Sequence, residues 1–99
     1  MYTDFTFQAQ GFDFITGTVW THKDSITFMG CTTIDKRSYL CSIEKEKGKR
    51  RKTTVSVKRY DEEKHDFVGA KRYDENIKKS LQAVIIAKYE IYLKLNKPF

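Results

Sequence analysis

The sequence predicts an α+β fold, in which an antiparallel sheet of about four to five strands, formed by two hairpins, packs against a long C-terminal helix. Apolar residues alternate with polar ones in the first part of the chain, which is the strand pattern, and take helical spacing in the last third. The chain has 99 residues, of which 39% are hydrophobic and 14% aromatic. This size and composition suffice for one hydrophobic core, so we expect a single domain over residues 1–99.

The first predicted unit, residues 1–29, is an aromatic hairpin. Two runs of alternating residues make up its first half: Phe5, Phe7 and Ala9, then Phe12, Phe14, Thr16, Thr18 and Trp20. The intervening Gly11 is typical of a bend or bulge. The polar residues 22–24 indicate a turn, after which Ile26 and Phe28 resume the alternation. We therefore expect a mostly aromatic inner face, with Trp20 in the core.

The second predicted unit, residues 30–60, is a basic hairpin. Its two strands carry the alternating residues Tyr39, Cys41 and Ile43, then Thr53, Val55 and Val57. A polar connection over residues 44–49 joins the strands and contains Gly48. The cluster at residues 49–52 then occupies the tip and the start of the returning strand, where its charges project without burial. Tyr39 and Cys41 share a face with Ile43, which places both in the core.

The third predicted unit, residues 61–96, is helical. Its apolar residues at helical spacing are Ile77, Leu81, Val84, Ile85, Tyr92 and Leu95. They predict a helix from Asp74 to Leu95, with Asp74 as its N-terminal cap. Two readings of the preceding residues stay open: the helix begins near Asp61 and breaks at Gly69, or residues 65–73 form another strand.

The sequence also argues against several classes of function. No run of about 20 apolar residues suggests a membrane span, and the N-terminus lacks the layout of a secretory signal, so we expect a cytoplasmic protein, or a nuclear one in a eukaryote. The two cysteines, Cys31 and Cys41, and the two histidines, His22 and His65, do not have the spacing of metal ligands. We expect no metal, no cofactor and no catalytic residues.

The net charge of +6 is unevenly distributed along the chain. Residues 36–59 hold ten lysines and arginines but two glutamates, whereas residues 1–30 hold one lysine and three aspartates. Localised positive charge is typical of phosphate binding, because each cation that meets a phosphate releases condensed counterions. The alternative interpretation is a solvated face that keeps a small domain soluble.

Eight cations in this segment are the candidate nucleic-acid contacts: Lys36, Arg37, Lys49, Arg50, Arg51, Lys52, Lys58 and Arg59. A two-stranded ribbon fits the major groove of B-form DNA, so duplex DNA is favoured over RNA as the partner. Arginine can read guanine through two hydrogen bonds, whereas lysine acts as a point charge on phosphate. Arg50 and Arg51 are adjacent on a predicted strand and face opposite ways, so at most one reaches a base edge.

Six short motifs follow one another in the same region: GCTTIDKR at 30–37, YLCSI at 39–43, GKRR at 48–51, YD at 60–61, AKRYD at 70–74 and LKLN at 93–96. In this order, residues 30–96 resemble the ethylene-response-factor type of DNA-binding domain, a three-stranded antiparallel sheet packed on one helix. The resemblance implies that the exposed sheet face enters the major groove. It also implies that the contacts are made by Lys36, Arg37, Arg50, Arg51 and Lys52.

Two further functions are compatible with this sequence. One is a short phage-encoded inhibitor of a host defence system, similar to anti-CRISPR proteins. Its basic tip would occupy an acidic surface of a host protein or the guide-RNA channel of a ribonucleoprotein complex. The other is homo-oligomerisation through the first hairpin, with Trp20 as an interface anchor.

Overall fold

The computed structural model describes residues 2–9, 11–46 and 53–96. Six strands form one sheet: β1 (Tyr2–Ala9), β2 (Phe12–Thr21), β3 (Ser25–Ile34), β4 (Arg37–Glu46), β5 (Thr53–Asp61) and β6 (Asp66–Gly69). Each strand pairs antiparallel with the next along the chain. A 3-10 turn (Arg72–Asp74) leads into the helix α1 (Glu75–Asn96). The α+β prediction is confirmed, with one strand more than the sequence indicated.

Helix α1 covers one face of the sheet, which we call the inner face; the other is the open face. Successive side chains of a strand point to opposite faces, and the inner-face residues form the core with Leu81, Ile85 and Tyr89 of α1. The N-terminal end of α1 lies over β4 and β5, where Asp74 contacts Tyr39. Its C-terminal end lies over β1 and β2, where Leu95 lines a groove with Phe5. The helix therefore crosses the sheet diagonally.

Two paired glycines allow close packing on the inner face. Gly17 and Gly30 lie opposite each other on β2 and β3. The ring of Phe5 occupies the space where Gly17 would carry a Cβ atom, and the side chain of Ile85 occupies the corresponding space at Gly30. Any larger residue at these two positions would lift the aromatic ring or the helix away from the sheet.

Replacement of Gly17 tests this packing. In Gly17→Ala the new Cβ would overlap both the Phe5 ring and the carbonyl oxygen of Met29, which belongs to the backbone of the neighbouring strand. We expect the free energy of unfolding to fall by about 1–3 kcal/mol, as for other overpacked cores. Gly69→Ala is the matched control, since no atom lies within 4 Å of its added Cβ. Urea denaturation followed by circular dichroism measures both, and equal losses would contradict the packing argument.

A bulge on β2 overturns part of the expected aromatic face. The pairing of Phe7 with Ile15 and of Ala9 with Phe12 leaves one extra residue on β2. Phe12 and Ile15 are therefore both buried, and the alternation is shifted by one residue beyond the bulge. Phe14 and Trp20 consequently face outward with 62% and 47% of their surface exposed, so the prediction that Trp20 lies in the core was wrong.

The predictions for the second hairpin hold more closely. Tyr39 and Cys41 are both buried, as expected, and they share the inner face with Ile43 and Val57. The turn that precedes this hairpin joins β3 to β4 through Asp35 and Lys36, which both have positive φ angles. Two such residues in a two-residue connection are typical of the tight turn that suits twisted strands.

The helical region is shorter than residues 61–96, because a strand precedes the helix. β6 pairs with β5 through Tyr60 and Phe67, which resolves the open alternative in favour of a strand over part of residues 65–73. The turn between the two strands is closed by Asp61, whose carboxylate accepts hydrogen bonds from the backbone N–H groups of Glu63 and Lys64. Helical structure begins only at Arg72, and Asp74 immediately precedes α1. The predicted capping role is not what the structure shows: a cap accepts from an N–H two or three residues after it, whereas the Asp74 carboxylate accepts from the N–H of Lys71, three residues before it.

Candidate nucleic-acid interface

The structure describes four of the eight candidate cations: Lys36, Arg37, Lys58 and Arg59. The other four, Lys49, Arg50, Arg51 and Lys52, lie outside the described residues. Strand pairing sets Arg59 opposite Tyr39 and Lys58 opposite Leu40, so these two lie towards the same end of the sheet as Lys36 and Arg37. Glu46, the last described residue before segment 47–52, lies at the other end of the ten-residue strand β4. It is about 30 Å from Arg37 at 3.3 Å per residue.

Arg59 is held within the fold by an acidic partner. Its Nε donates to the Oδ2 atom of Asp74 over 3.3 Å, and the two side chains are only 14% and 1% exposed. Asp74 also accepts hydrogen bonds from the Tyr39 hydroxyl and from the backbone N–H of Lys71, both at 2.8 Å. We call Tyr39, Arg59 and Asp74 the buried polar cluster. Because of it, Arg59 does not project outward as the sequence analysis expected.

Lys36 and Arg37 share a surface depression with several carboxylates. Its lining residues are Asp35, Lys36, Arg37, Arg59, Tyr60, Asp61, Glu62 and Glu63. Four carboxylates thus stand beside three cations, so the depression does not present the positive field that draws phosphate to a surface. These two candidates lie near Arg59, but four carboxylates line the same depression.

The open face of the sheet is rich in hydroxyl groups. Strand register places the following residues on it: Thr6, Thr16, Thr18, Thr27, Thr33, Ser38, Ser42, Thr54 and Ser56. The charged side chains described on this face are Lys58, Asp4, Glu44 and Glu46. An excess of carboxylates repels phosphate, so this distribution does not favour the sheet-face contact with DNA that the family resemblance implies.

The whole net charge lies outside the described residues. The chain contains 19 lysines and arginines and 13 carboxylates. Six of those cations lie outside the described ranges: Lys47, Lys49, Arg50, Arg51, Lys52 and Lys97. No carboxylate lies there, so the described residues carry 13 charges of each sign. Five of the six cations fall in segment 47–52, which we call the basic segment.

The cysteines and the buried tyrosines are poorly suited to contact a ligand. Burial raises the pKa of the Cys41 thiol to about 12 and also raises that of Cys31, so both keep their protons near neutral pH. Burial, and then the hydrogen bond to Asp74, raise the pKa of Tyr39. Tyr39 is 1% exposed and so cannot stack on an unpaired base.

The sequence analysis placed the outward aromatic residues on the inner face, although it also named Trp20 as the interface anchor of a homo-oligomer. Phe14 and Trp20 both lie on the open face, on the bulged strand β2. Gly11 was the available signal, since it indicated a bulge, but the sequence did not show on which strand the extra residue would lie.

Comparison of the chain with family models, with curated protein sequences and with solved structures finds no significant match. Within the described ranges, no helix is both long enough and apolar enough to cross a membrane.

Proposed function

We propose that this protein is a small, non-enzymatic nucleic-acid-binding protein that contacts the phosphates of duplex DNA through the basic segment. The observation that carries the proposal is the charge distribution: 13 cations and 13 carboxylates balance over the described residues, while the basic segment adds five cations within six positions. Duplex DNA carries about one phosphate per 1.7 Å of helix axis, so it offers several phosphates to a cluster of cations that are neighbours in the sequence.

This proposal assigns fewer of the candidate cations to DNA contact than the sequence analysis did. Lys49, Arg50, Arg51 and Lys52 keep the role of phosphate contacts, whereas Arg59 is bound by Asp74 and Lys36 and Arg37 stand among carboxylates. Phosphate contacts position a protein on DNA but carry no sequence information. We therefore expect binding with little base specificity, in the cytoplasm or in a nucleus.

A salt titration tests the proposal. Fluorescence anisotropy with a labelled duplex of arbitrary sequence gives the dissociation constant at several salt concentrations. Five phosphate contacts predict that the logarithm of the binding constant falls with that of salt concentration with a slope of about −4 to −5. A single-stranded RNA probe, run in parallel, shows whether duplex DNA is preferred. A slope near zero would contradict phosphate binding altogether.

The exposed aromatic residues support a second candidate, which is protein binding. Phe14 and Trp20 stand on the open face with 62% and 47% exposure, and aromatic side chains of this kind anchor protein interfaces. Under this proposal the chain is an inhibitor that blocks a host protein or ribonucleoprotein complex, as in the phage-encoded case. Trp20→Ala would then weaken capture of the target while leaving the DNA salt slope unchanged.

A further inference from the structure

A narrow apolar groove lies between the C-terminal end of α1 and the strands β1 and β2. Its volume is about 200 Å³, whereas pockets for drug-sized ligands have roughly 300–1,000 Å³. Its apolar lining residues are Phe5, Val19, Phe28, Ile91, Tyr92 and Leu95. A groove of this size and composition suits a single alkyl chain rather than a larger ring system.

The groove is elongated and has a buried floor. Helix α1 lines it from Lys88 to Asn96, a length of about 12 Å at 1.5 Å per residue. Val19 and Phe28 are only 2% and 1% exposed and form the floor, while Leu95 at the mouth is 78% exposed. Exposed apolar side chains beside a recess are typical of ligand-binding grooves. A linear chain can fill the recess, whereas a flat surface would cover only the mouth.

Lys88 gives the groove one positive charge. It is the only charged residue among the described lining residues, it is half-buried, and its Nζ atom lies 5.2 Å from the centre of the Phe7 ring. Within the described ranges it forms no ion pair. Asp4 of β1 lies on the open face, where it accepts a hydrogen bond from Thr18, and Glu90 is exposed and does not line the groove. The ammonium group is therefore available to an anion.

We infer that this groove binds a single-chain anionic amphiphile, such as a fatty acid, with the carboxylate at Lys88 and the alkyl chain extended towards Leu95. The hydrophobic effect favours transfer of the chain from water to the apolar lining. A charge-assisted hydrogen bond from the ammonium group then fixes the direction of the ligand. An uncharged chain would not supply this bond, and a cationic one would be repelled. The groove is separate from the basic segment, which follows β4, so this site adds a function to DNA binding.

Three ligands that differ only in their head group test the inference. Isothermal titration calorimetry compares decanoate, decanol and decylamine, each below the concentration at which it aggregates. Decanoate should bind about tenfold more tightly than decanol, which is what one hydrogen bond to a charged group contributes, and decylamine should bind most weakly. Nuclear magnetic resonance with isotope-labelled protein locates the site, and the shifted amide signals should be confined to the groove residues of α1 and of the first three strands.

Substitutions at Lys88 test the role of its charge. Lys88→Met keeps most of the aliphatic stem but removes the charge, so it should lower the affinity for decanoate about tenfold and leave that for decanol unchanged. Lys88→Glu should reverse the preference, so that decylamine binds more tightly than decanoate. Lys94→Met is the matched control and should bind decanoate as the wild type does, because Lys94 is exposed on the same helix but does not line the groove. Lys88→Met should also leave the DNA salt slope unchanged.

Other occupants of the groove would give different results. Binding to vesicles of phosphatidylserine and phosphatidylcholine, without binding of monomeric decanoate, would identify a membrane surface as the partner and overturn the inference. A dimer mass by light scattering, in a protein that takes up no decanoate, would overturn it equally. If decanoate and decanol bind with the same affinity, or if decanoate binding survives Lys88→Met undiminished, then Lys88 does not hold the head group and the inference is wrong.

Discussion

Replacement of Asp74 by alanine should lower the free energy of unfolding by about 3–5 kcal/mol, the cost of breaking a buried ion pair by removing one partner. The Asp74 carboxylate accepts hydrogen bonds from Tyr39, Arg59 and the backbone of Lys71, and it is 1% exposed. Without it, the guanidinium of Arg59 and the hydroxyl of Tyr39 each lose the acceptor that this carboxylate supplies in the interior. Urea denaturation of the wild type and the variant gives the difference directly.

Two milder variants keep this prediction testable if Asp74→Ala does not fold. Tyr39→Phe removes one donor from the buried polar cluster and should cost about 1 kcal/mol. Asp74→Asn keeps the shape of the side chain but removes its charge. It should lower the free energy of unfolding by more than Tyr39→Phe does. Asp4→Ala is the matched control, since Asp4 also accepts a side-chain hydrogen bond, from Thr18 at 2.9 Å, but is exposed. If Asp4→Ala and Asp74→Ala lower the free energy of unfolding equally, burial of the cluster contributes nothing to stability.

Reversal of two charges in the basic segment should have the largest effect on function. We expect Arg50→Glu combined with Arg51→Glu to weaken binding to duplex DNA by about a hundredfold, since each lost contact costs on the order of tenfold in affinity. The slope of the salt titration should also become shallower by about two, one unit for each phosphate contact removed. Both quantities come from the same anisotropy measurement.

The control for this prediction distinguishes the charge of the basic segment from the net charge of the chain. Lys64→Glu combined with Lys79→Glu changes the net charge by the same amount at two exposed positions outside the basic segment. If DNA responds to the basic segment, this control should bind nearly as the wild type does. If both double variants lose affinity equally, binding depends on the net charge of the chain, and the basic segment has no special role.

Local sequence patterns predicted the hairpins and the helix because those elements depend on neighbouring residues. The inner-face positions of Tyr39, Cys41 and Ile43 follow from a period of two, and the structure confirms them as buried. Asp74 was identified as the residue that starts α1 because an acidic side chain there can accept from free backbone N–H groups. In the structure Asp74 does precede α1, but its carboxylate accepts from the N–H of Lys71, three residues earlier, so the position was predicted and the capping bond was not.

Contacts between distant residues could not be predicted in the same way. Tyr39 lies 35 residues before Asp74, and Arg59 lies 15 residues before it, so only the packing of α1 on β4 and β5 brings them together. For this reason Arg59 looked like a free cation in the sequence. The bulge on β2 had a comparable effect, since one extra residue reversed the faces of Phe14 and Trp20.

The order of the strands has a consequence for how the chain folds. Because each strand pairs only with its neighbours in sequence, the sheet has a low contact order for a β structure, and such topologies fold quickly. Helix α1 follows all six strands in the sequence, yet it covers the inner face of the sheet that they form. The strands leave the ribosome before α1 does, so their apolar inner-face side chains stay uncovered until α1 is synthesised. The nascent chain is therefore open to aggregation during that interval.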